Sequence, residues 1–359
     1  MKLSNLKPNP WHIMEEDFPT CGLPVEKWKF LLAYAILAPS SHNSQPWLFH
    51  IHDSVVELHA DLSRACRKVD PQDRELIMSC GCALFHLRVA MRHFGCLGIV
   101  EIMPRGGQGN LLARISLGEQ LEASPENAIL FHAIPKRRTN RQPFRSIPLP
   151  PYLQTVLQVA AEKESATLTF APDDDVKRQM ADLIAEGDRR QWANKAFRGE
   201  LAKWVHASHS KRRDGIPGFA CGVSSLMPYL GPLVVRTFDM GAGQAASNHE
   251  LATGSPGLAV LSTDADTTRD WLAAGEALAR VLLRARAENV WGSFLNQPIE
   301  VPSLRMNIPH IIGRPGFPHA VLRFGFADDI KPTPRREVEN VLLSGPCNAP
   351  SGVTTAESI

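Results

Sequence analysis

The chain has 359 residues, 44% of them hydrophobic and 21% charged, with a formal net charge of +2. That length allows two structural units or one large one, and the composition is that of a globular protein whose core can enclose a planar ligand. So small a net charge excludes a nucleic-acid or membrane surface built on bulk charge, leaving any basic function local.

Residues 25–38 are rich in apolar side chains (Trp28, Phe30, Leu31, Leu32) and predict a helix stopped by Pro39. After a polar turn, Ser40 to Ser44, two strand-like runs at 47–52 and 55–60 flank Asp53-Ser54, a hairpin signal. Asp70-Pro71 opens a second helix to about residue 94, ended by Gly95, and strand candidates follow at 98–103 and 111–116. A helix over 147–161, strands at 166–171 and 257–262, a long helix at 270–288 and a strand at 320–326 complete the pattern.

The two long helices read alike. One contains Gly81-Cys82-Ala83-Leu84 and the other Gly275-Glu276-Ala277-Leu278. A mid-helix glycine costs about 1 kcal/mol relative to alanine and so marks close packing. Its recurrence points either to an internal duplication or to chance repetition of a common string. Residues 173–250 have no counterpart in the first half. They start with a charged helix, 175–203, and continue through Gly- and Pro-punctuated chain of the sort found in lids, binding loops and linkers. The small polar residues 344–359 are expected to be a flexible tail.

No run of 18 apolar residues offers a membrane span, and residues 1–20 lack the pattern of a secretory signal. Seven scattered cysteines, at 21, 66, 80, 82, 96, 221 and 347, are expected to be reduced thiols in a cytoplasm. Cys80 and Cys82, two apart on a helix, point in different directions and are read as packing residues.

Three clusters bear on chemistry. Pro39-Ser40-Ser41-His42-Asn43-Ser44-Gln45-Pro46-Trp47 is a rigid turn whose hydroxyls, amides and backbone could hydrogen-bond a flat polar ligand, or could simply stop a helix. His42 alone reads as a solvent-facing turn residue. In Arg137-Arg138-Thr139-Asn140-Arg141, three arginines and a threonine within five residues suit a phosphate. A solvated basic stretch is the alternative; a nucleic-acid patch would bring more charge and interleaved aromatics. Arg335-Arg336 follow the last strand and are unremarkable by themselves. Signatures for dinucleotide, P-loop, serine-hydrolase and zinc-hydrolase sites are missing, and the thirteen histidines do not cluster at metal-ligand spacings, so no metal is expected.

Together these clusters resemble the FMN-dependent nitroreductase superfamily, specifically its tandem-repeat, Acg-like FMN-binding branch. In that family an Arg-Arg-Ser-x-Arg element holds the FMN phosphate, and Arg137, Arg138, Thr139 and Arg141 match it with Thr in place of Ser. A Pro-Ser-x-x-Asn-x-Gln-Pro-Trp element lies beside the flavin, matched by Pro39, Ser40, Ser41, Asn43, Gln45, Pro46 and Trp47. The stretch from Asp70 to Leu76 and the Gly81 helix are also similar to this branch. The likeness covers roughly 25–145 and 255–340.

The resemblance implies an α+β chain of three-layer α/β/α nitroreductase-like architecture. Its two fused repeats, 25–130 and 131–343, would form an intramolecular pseudo-dimer, with a lid-like insertion at about 173–250. The basic element is missing before Pro39, where His12, Glu15, Glu16 and Asp17 stand instead. The Pro-Ser turn is missing from the second repeat, where residues 160–165 read Ala-Ala-Glu-Lys-Glu-Ser. One chain therefore retains one complete site. Carry-over adds Phe294, Leu295 and Asn296 beside the flavin, and Arg335 with Arg336 at the phosphate. It implies an oxidoreductase moving hydride from NAD(P)H through FMN to a nitroaromatic or quinone-like acceptor, the flavin carrying the chemistry without a catalytic side chain. The alternative is an FMN storage protein whose lid prevents turnover. Neither nucleic acid nor membrane is expected as a partner. The family's polar side chains over the ring have no clear match, Ser247, Asn248 and Glu250 being the nearest.

Overall fold

A computed structural model describes residues 10–104, 109–119, 124–220, 233 and 235–343; the expected tail lies outside these. The first half runs α1 (Pro24–Ala35), β1 (Trp47–His52), β2 (Val55–Ala60), α2 (Arg74–His93), β3 (Leu97–Ile102) and β4 (Leu111–Leu117). α1 starts with Pro at its first position, as suits a residue without an N–H to lose, and the Leu23 amide is capped by Glu26 Oε2 at 2.8 Å. α2 begins three residues after Asp70-Pro71, because Asp73 (φ 61°) breaks the backbone first and Asp70 Oδ2 accepts from the Leu76 amide at 2.9 Å.

A helix not foreseen from the sequence, α3 (Pro125–Ala133), joins the halves. Its apolar pattern is weak; Ser124 caps it through the Asn127 amide, Pro125 opens it, and it packs on α2 and the second long helix. The second half runs α4 (Pro151–Glu162), β5 (Thr167–Phe170), α5 (Asp174–Ala193), α6 (Lys195–Trp204), the two-residue strands β6 (Val205–His206) and β7 (Ile216–Pro217), and α7 (Gly241–Thr253). It continues with β8 (Gly257–Thr263), α8 (Thr268–Ala287), β9 (Trp291–Phe294) and β10 (Phe317–Gly325). The expected single charged helix is two, because Asn194 adopts extended backbone (ψ 110°) and caps α6 through the Ala196 amide.

The two halves repeat one topology. One sheet has the order β1-β2-β4-β3 and the other β5-β8-β10-β9, each with antiparallel neighbours. α2 and α8 follow equivalent strands and cross at their glycines. A Cβ placed on Gly81 would lie 3.0 Å from the Gly275 Cα, and one on Gly275 would overlap the Met78 carbonyl. The shared glycine is thus the contact that lets two backbones touch across the pseudo-twofold axis.

One hydrophobic core, containing Trp28, Phe49, Leu84, Leu278 and Phe324, runs through both halves around α2 and α8. A second, with Met180, Ile184, Val260 and Val321, lies on the other face of the second sheet under α5 and α7. The chain is α+β, two fused repeats, with the α/β/α layering complete around the second sheet. Within the 173–250 insertion, α5 and α7 form this outer layer, while Ile216, Phe219 and Ala220 reach the cavity described below. The outer face of the first sheet carries His50, His52, Glu57, His59 and Arg114, with Ile99 exposed. The halves also exchange chain: Leu342 bridges Phe49 of β1 in parallel, and the Leu343 amide donates to the Phe49 carbonyl at 2.8 Å.

Candidate functional site: a cationic cleft between the repeats

Between α1 and β1 the backbone takes positive φ at His42 (52°), Asn43 (53°) and Gln45 (51°), a conformation that side chains resist. Hydrogen bonds from both repeats hold it there. Asn43 Nδ2 donates to the carbonyls of Gly215 (2.9 Å) and Pro334 (3.1 Å), and Asn43 Oδ1 accepts from Arg335 Nη1 at 2.8 Å. Gln45 Nε2 donates to the Arg213 carbonyl at 2.9 Å, while Gln45 Oε1 accepts the Arg336 amide at 2.7 Å. The first repeat's turn is thereby fastened to the insertion and to the C-terminal segment of the second.

The basic segment arrives opposite this turn. α3 passes into a 3-10 turn, Ile134–Lys136, and the Arg137 amide closes it on the Ala133 carbonyl at 2.9 Å. Arg137 and Arg335 are each 3% exposed. Their Nη2 atoms reach the Leu37 carbonyl, at 3.3 and 3.4 Å, where the carbonyl end of α1 favours positive charge. The guanidinium carbons of Arg138 and Arg335 lie 4.8 and 4.9 Å from the Trp11 ring centre, a cation–π pairing.

Among the described residues no carboxylate forms an ion pair with Arg137, Arg138 or Arg335. Arg137 Nε and Nη1, Arg138 Nε and Arg335 Nε are buried without a hydrogen-bond partner. Burial pushes the Arg137 pKa down to about 10, with the Cys82 thiol opposing it and repulsion from Arg138 adding a smaller push down; burial and the neighbouring arginines hold Arg335 well below its ordinary value. Buried charges are normally paired. Three arginines with spare donors and no paired carboxylate, Asp329 acting on Arg138 only from a distance, make this a strongly cationic cleft.

These residues line one cavity of about 240 Å³. Pro39, Ser40 and Asn43 form one side, and Arg137, Arg138, Thr139, Asn140, Arg141 and Gln142 another. Ile330, Lys331, Thr333 and Arg335 supply the C-terminal side, and Ile216, Phe219 and Ala220 of the insertion the last. Arg141 Nη1 donates to the Ala220 carbonyl at 3.1 Å, and Lys331 Nζ stands 4.9 Å from the Phe219 ring centre. Arg323, 1% exposed, donates to the carbonyls of Asn140 and Gln142 and so fixes the loop that carries Arg141.

The structure therefore brings Pro39, Ser40, Asn43, Arg137, Arg138, Thr139, Arg141 and Arg335 onto one cavity. It does not bring the others. Ser41 Oγ donates instead to Glu75 Oε2 at 2.5 Å, and Gln45 and Arg336 are spent on each other. Phe294 packs against the central core and Leu295 is buried in the second one. Asn296 bridges Glu75 Oε1 and the Val321 amide, because pairing of β9 with β10 turns this segment into the sheet. His42 is half-buried rather than solvent-facing, and burial with Arg141 nearby pushes its pKa down to about 4. Ser247 and Glu250 are exposed and Asn248 donates to Asp188. Cys80 and Cys82 are buried packing residues whose thiols burial pushes up, Cys82 to about 12.

Sequence reasoning missed Trp11, Lys331, Thr333 and the 216–220 wall. Only Trp11, an aromatic residue ahead of the first helix, left any local signal. Where the second repeat's Pro-Ser turn would be, Glu164 instead pairs with Arg88 and Arg280, and Glu276 joins through Arg88. The pseudo-symmetric position is an internally neutralised network, whereas the cleft at Arg137 is an un-neutralised one.

Two fused α+β repeats thus share one cationic cleft, lined by the turn of the first and the basic segment of the second. No family model matches the chain. Rv3131 of Mycobacterium tuberculosis H37Rv, which bears an NAD(P)H nitroreductase name, is 29% identical over 335 residues, covering 92% of this chain and 93% of its own. Rv3127 of the same strain, an uncharacterised protein, is 30% identical over 321 residues, covering 86% and 90%. The acg protein, also named for NAD(P)H nitroreductase, is 27% identical over 322 residues, covering 87% and 94%. Among solved structures, the FMN-dependent nitroreductase NfnB of Mycobacterium smegmatis in complex with NADPH shares 13% identity at a TM-score of 0.36, over 64% of this chain and 99% of its own. The chain belongs to the nitroreductase family, with Rv3131, Rv3127 and acg among its relatives.

Proposed function

We propose that this chain binds one FMN in the cleft between its repeats and is an oxidoreductase of the nitroreductase type. It would pass hydride from NAD(P)H to a nitroaromatic or quinone-like acceptor. The observation that carries this reading is the buried Arg137–Arg335 pair, with Arg138, facing a cavity without a counter-anion. A phosphate monoester would supply the missing charge and accept from the orphaned guanidinium donors.

Arg137, Arg138, Thr139 and Arg335 would hold the phosphate, Asn43 would position Arg335 through its Oδ1, Ser40 would offer its hydroxyl to the rest of the ligand, and Arg141 would place positive charge near it. When bound, the flavin supplies reversible two-electron chemistry. The protein supplies an anchor, a dry wall of Ile216 and Phe219, and positive charge that favours an anionic ligand. We take the repeats as 25–130 and 131–343 and the setting as cytoplasmic.

That wall also favours a second reading, custody of FMN without turnover, since part of the insertion closes one side of the cavity. Reconstitution of the full chain with FMN decides between them. Bound flavin absorbs near ~450 nm. Bleaching of that band by NAD(P)H within seconds, with recovery on adding menadione or a nitroaromatic, supports the oxidoreductase. Bleaching by dithionite alone supports custody, and no retained flavin refutes both.

A further inference from the structure

The histidines of the first sheet stand away from the cleft, and none of them lines its cavity. β1 and β2 pair in the register His50↔Glu57, with Leu48↔His59 and His52↔Val55 on either side. Alternation along the strands puts His50, His52, Glu57 and His59 on one face, the outer face of the sheet. The segment His50-x-His52…Glu57-x-His59 has no helical or finger-like ligand spacing, so it passed unnoticed in the sequence; strand pairing is what assembles it.

The geometry points to a divalent transition-metal site, best suited to zinc, formed by His50, His52 and Glu57. One ligand atom from each of the three lies within 4.8 Å of the other two. Around a tetrahedral zinc, ligand atoms stand roughly 3.3 Å apart, so small side-chain rotations close the set. His50 Nδ1 is already 3.8 Å from Glu57 Oε2. The imidazoles of His50 and His52 meet edge to face at 3.8 Å between centres, which keeps both nitrogens on the same side of the hairpin.

Burial makes this more than a surface cluster. His50 is 5% exposed, yet its Nδ1 has no hydrogen-bond partner among the described residues. A buried imidazole nitrogen without a partner, aimed at a buried carboxylate, is a ligand position awaiting a cation. Glu57 is already oriented. Arg114 donates to its Oε1 from Nη2 at 2.9 Å and from Nε at 3.2 Å, leaving Oε2 to face the histidines. His59 Nε2 lies 3.2 Å from that Oε2 and would either yield it to the metal or fix the carboxylate from the side. Two imidazoles and one carboxylate form a borderline-soft set that prefers zinc, cobalt or nickel to magnesium or calcium. The fourth position falls to water.

The test uses the full-length chain without a histidine tag, stripped with EDTA and dialysed, then titrated with Zn²⁺ calorimetrically and with Co²⁺ spectroscopically. The expected result is about one Zn²⁺ per chain, with intense visible Co²⁺ bands of a four-coordinate site that Zn²⁺ displaces. His52→Ala, an exposed change that leaves the core untouched, is expected to weaken Zn²⁺ at least ~10-fold, and Glu57→Gln likewise. His310→Ala, elsewhere on the surface, leaves binding unchanged. FMN retention is the same in every variant, since none of these residues lines the cleft. Failure to bind Zn²⁺ at 100 μM overturns the assignment, as does equal affinity in the His52→Ala chain.

Discussion

Arg137 offers a test in which stability and affinity move in opposite directions. It is buried with two guanidinium nitrogens unpartnered, and its pKa is pushed from 12.5 down to about 10. At roughly 1.4 kcal/mol per pKa unit, keeping this side chain charged costs the ligand-free protein on the order of 3 kcal/mol. Arg137→Met keeps most of the volume and removes that penalty. The ligand-free variant is therefore expected to melt a few degrees higher than the parent. FMN, by contrast, loses two charge-assisted hydrogen bonds worth roughly 1.5–3 kcal/mol each, so its Kd should rise by about 10²–10⁴-fold. Riboflavin, which lacks the phosphate, sharpens the point: the parent should prefer FMN strongly and the variant should hardly distinguish them. Flavin fluorescence quenching gives the affinities and differential scanning fluorimetry the melting points. An unchanged FMN-to-riboflavin preference in Arg137→Met would falsify the phosphate assignment. A lower melting point of the ligand-free variant would show that Arg137 is a structural cation instead.

Other outcomes follow from the same structure. Gly275→Ala, which in an ordinary helix gains about 1 kcal/mol, should destabilise here because its Cβ overlaps the Met78 carbonyl of α2; a higher melting temperature by circular dichroism would contradict the helix crossing. Gly215 (φ +74°) carries the carbonyl that Asn43 holds, and a Cβ there meets His206 and the Trp204 carbonyl. Gly215→Ala should loosen the 216–220 wall and speed FMN release in stopped-flow dilution, whereas an unchanged off-rate would deny the wall that role. Asp70 has its pKa pushed up to about 7 by burial and then by Glu75. Its folded-state pKa lies above the unfolded value, so the folded chain binds the extra proton and loses stability as pH rises from about 4 through 7. Asp70→Asn keeps an acceptor for the Leu76 amide and should gain stability relative to the parent at pH 8 but not at pH 4. A pH-independent difference in denaturant midpoint would refute this.

Local chemistry made much of the fold legible. The apolar spacing of 25–38, the Asp53-Ser54 hairpin and the paired Gly-x-Ala-Leu strings all appear as elements at or near the expected positions, because helix periodicity and turn preference act within a few residues. The boundaries moved where a single residue overruled the pattern, as Asp73 does before α2 and Asn194 between α5 and α6. The Pro-Ser turn and the basic cluster were likewise visible as candidates. Their ambiguity was not resolvable locally, since a solvated arginine and a phosphate ligand have the same sequence.

What the sequence by itself determined is the inventory: two helix-and-sheet repeats, a polar turn in one and a cluster of arginines in the other. Tertiary structure decided which of those arginines lack a counter-charge. Arg335 meets Asn43 across 292 residues, and Arg137 meets Leu37 across 100. It also turned Phe294, Leu295 and Asn296 into the sheet, put Trp11 and Lys331 at the cleft, and gathered His50, His52 and Glu57 on one sheet face. Burial and the absence of a partner are properties of the whole packed chain, and those two properties are what separate a site from a charged surface.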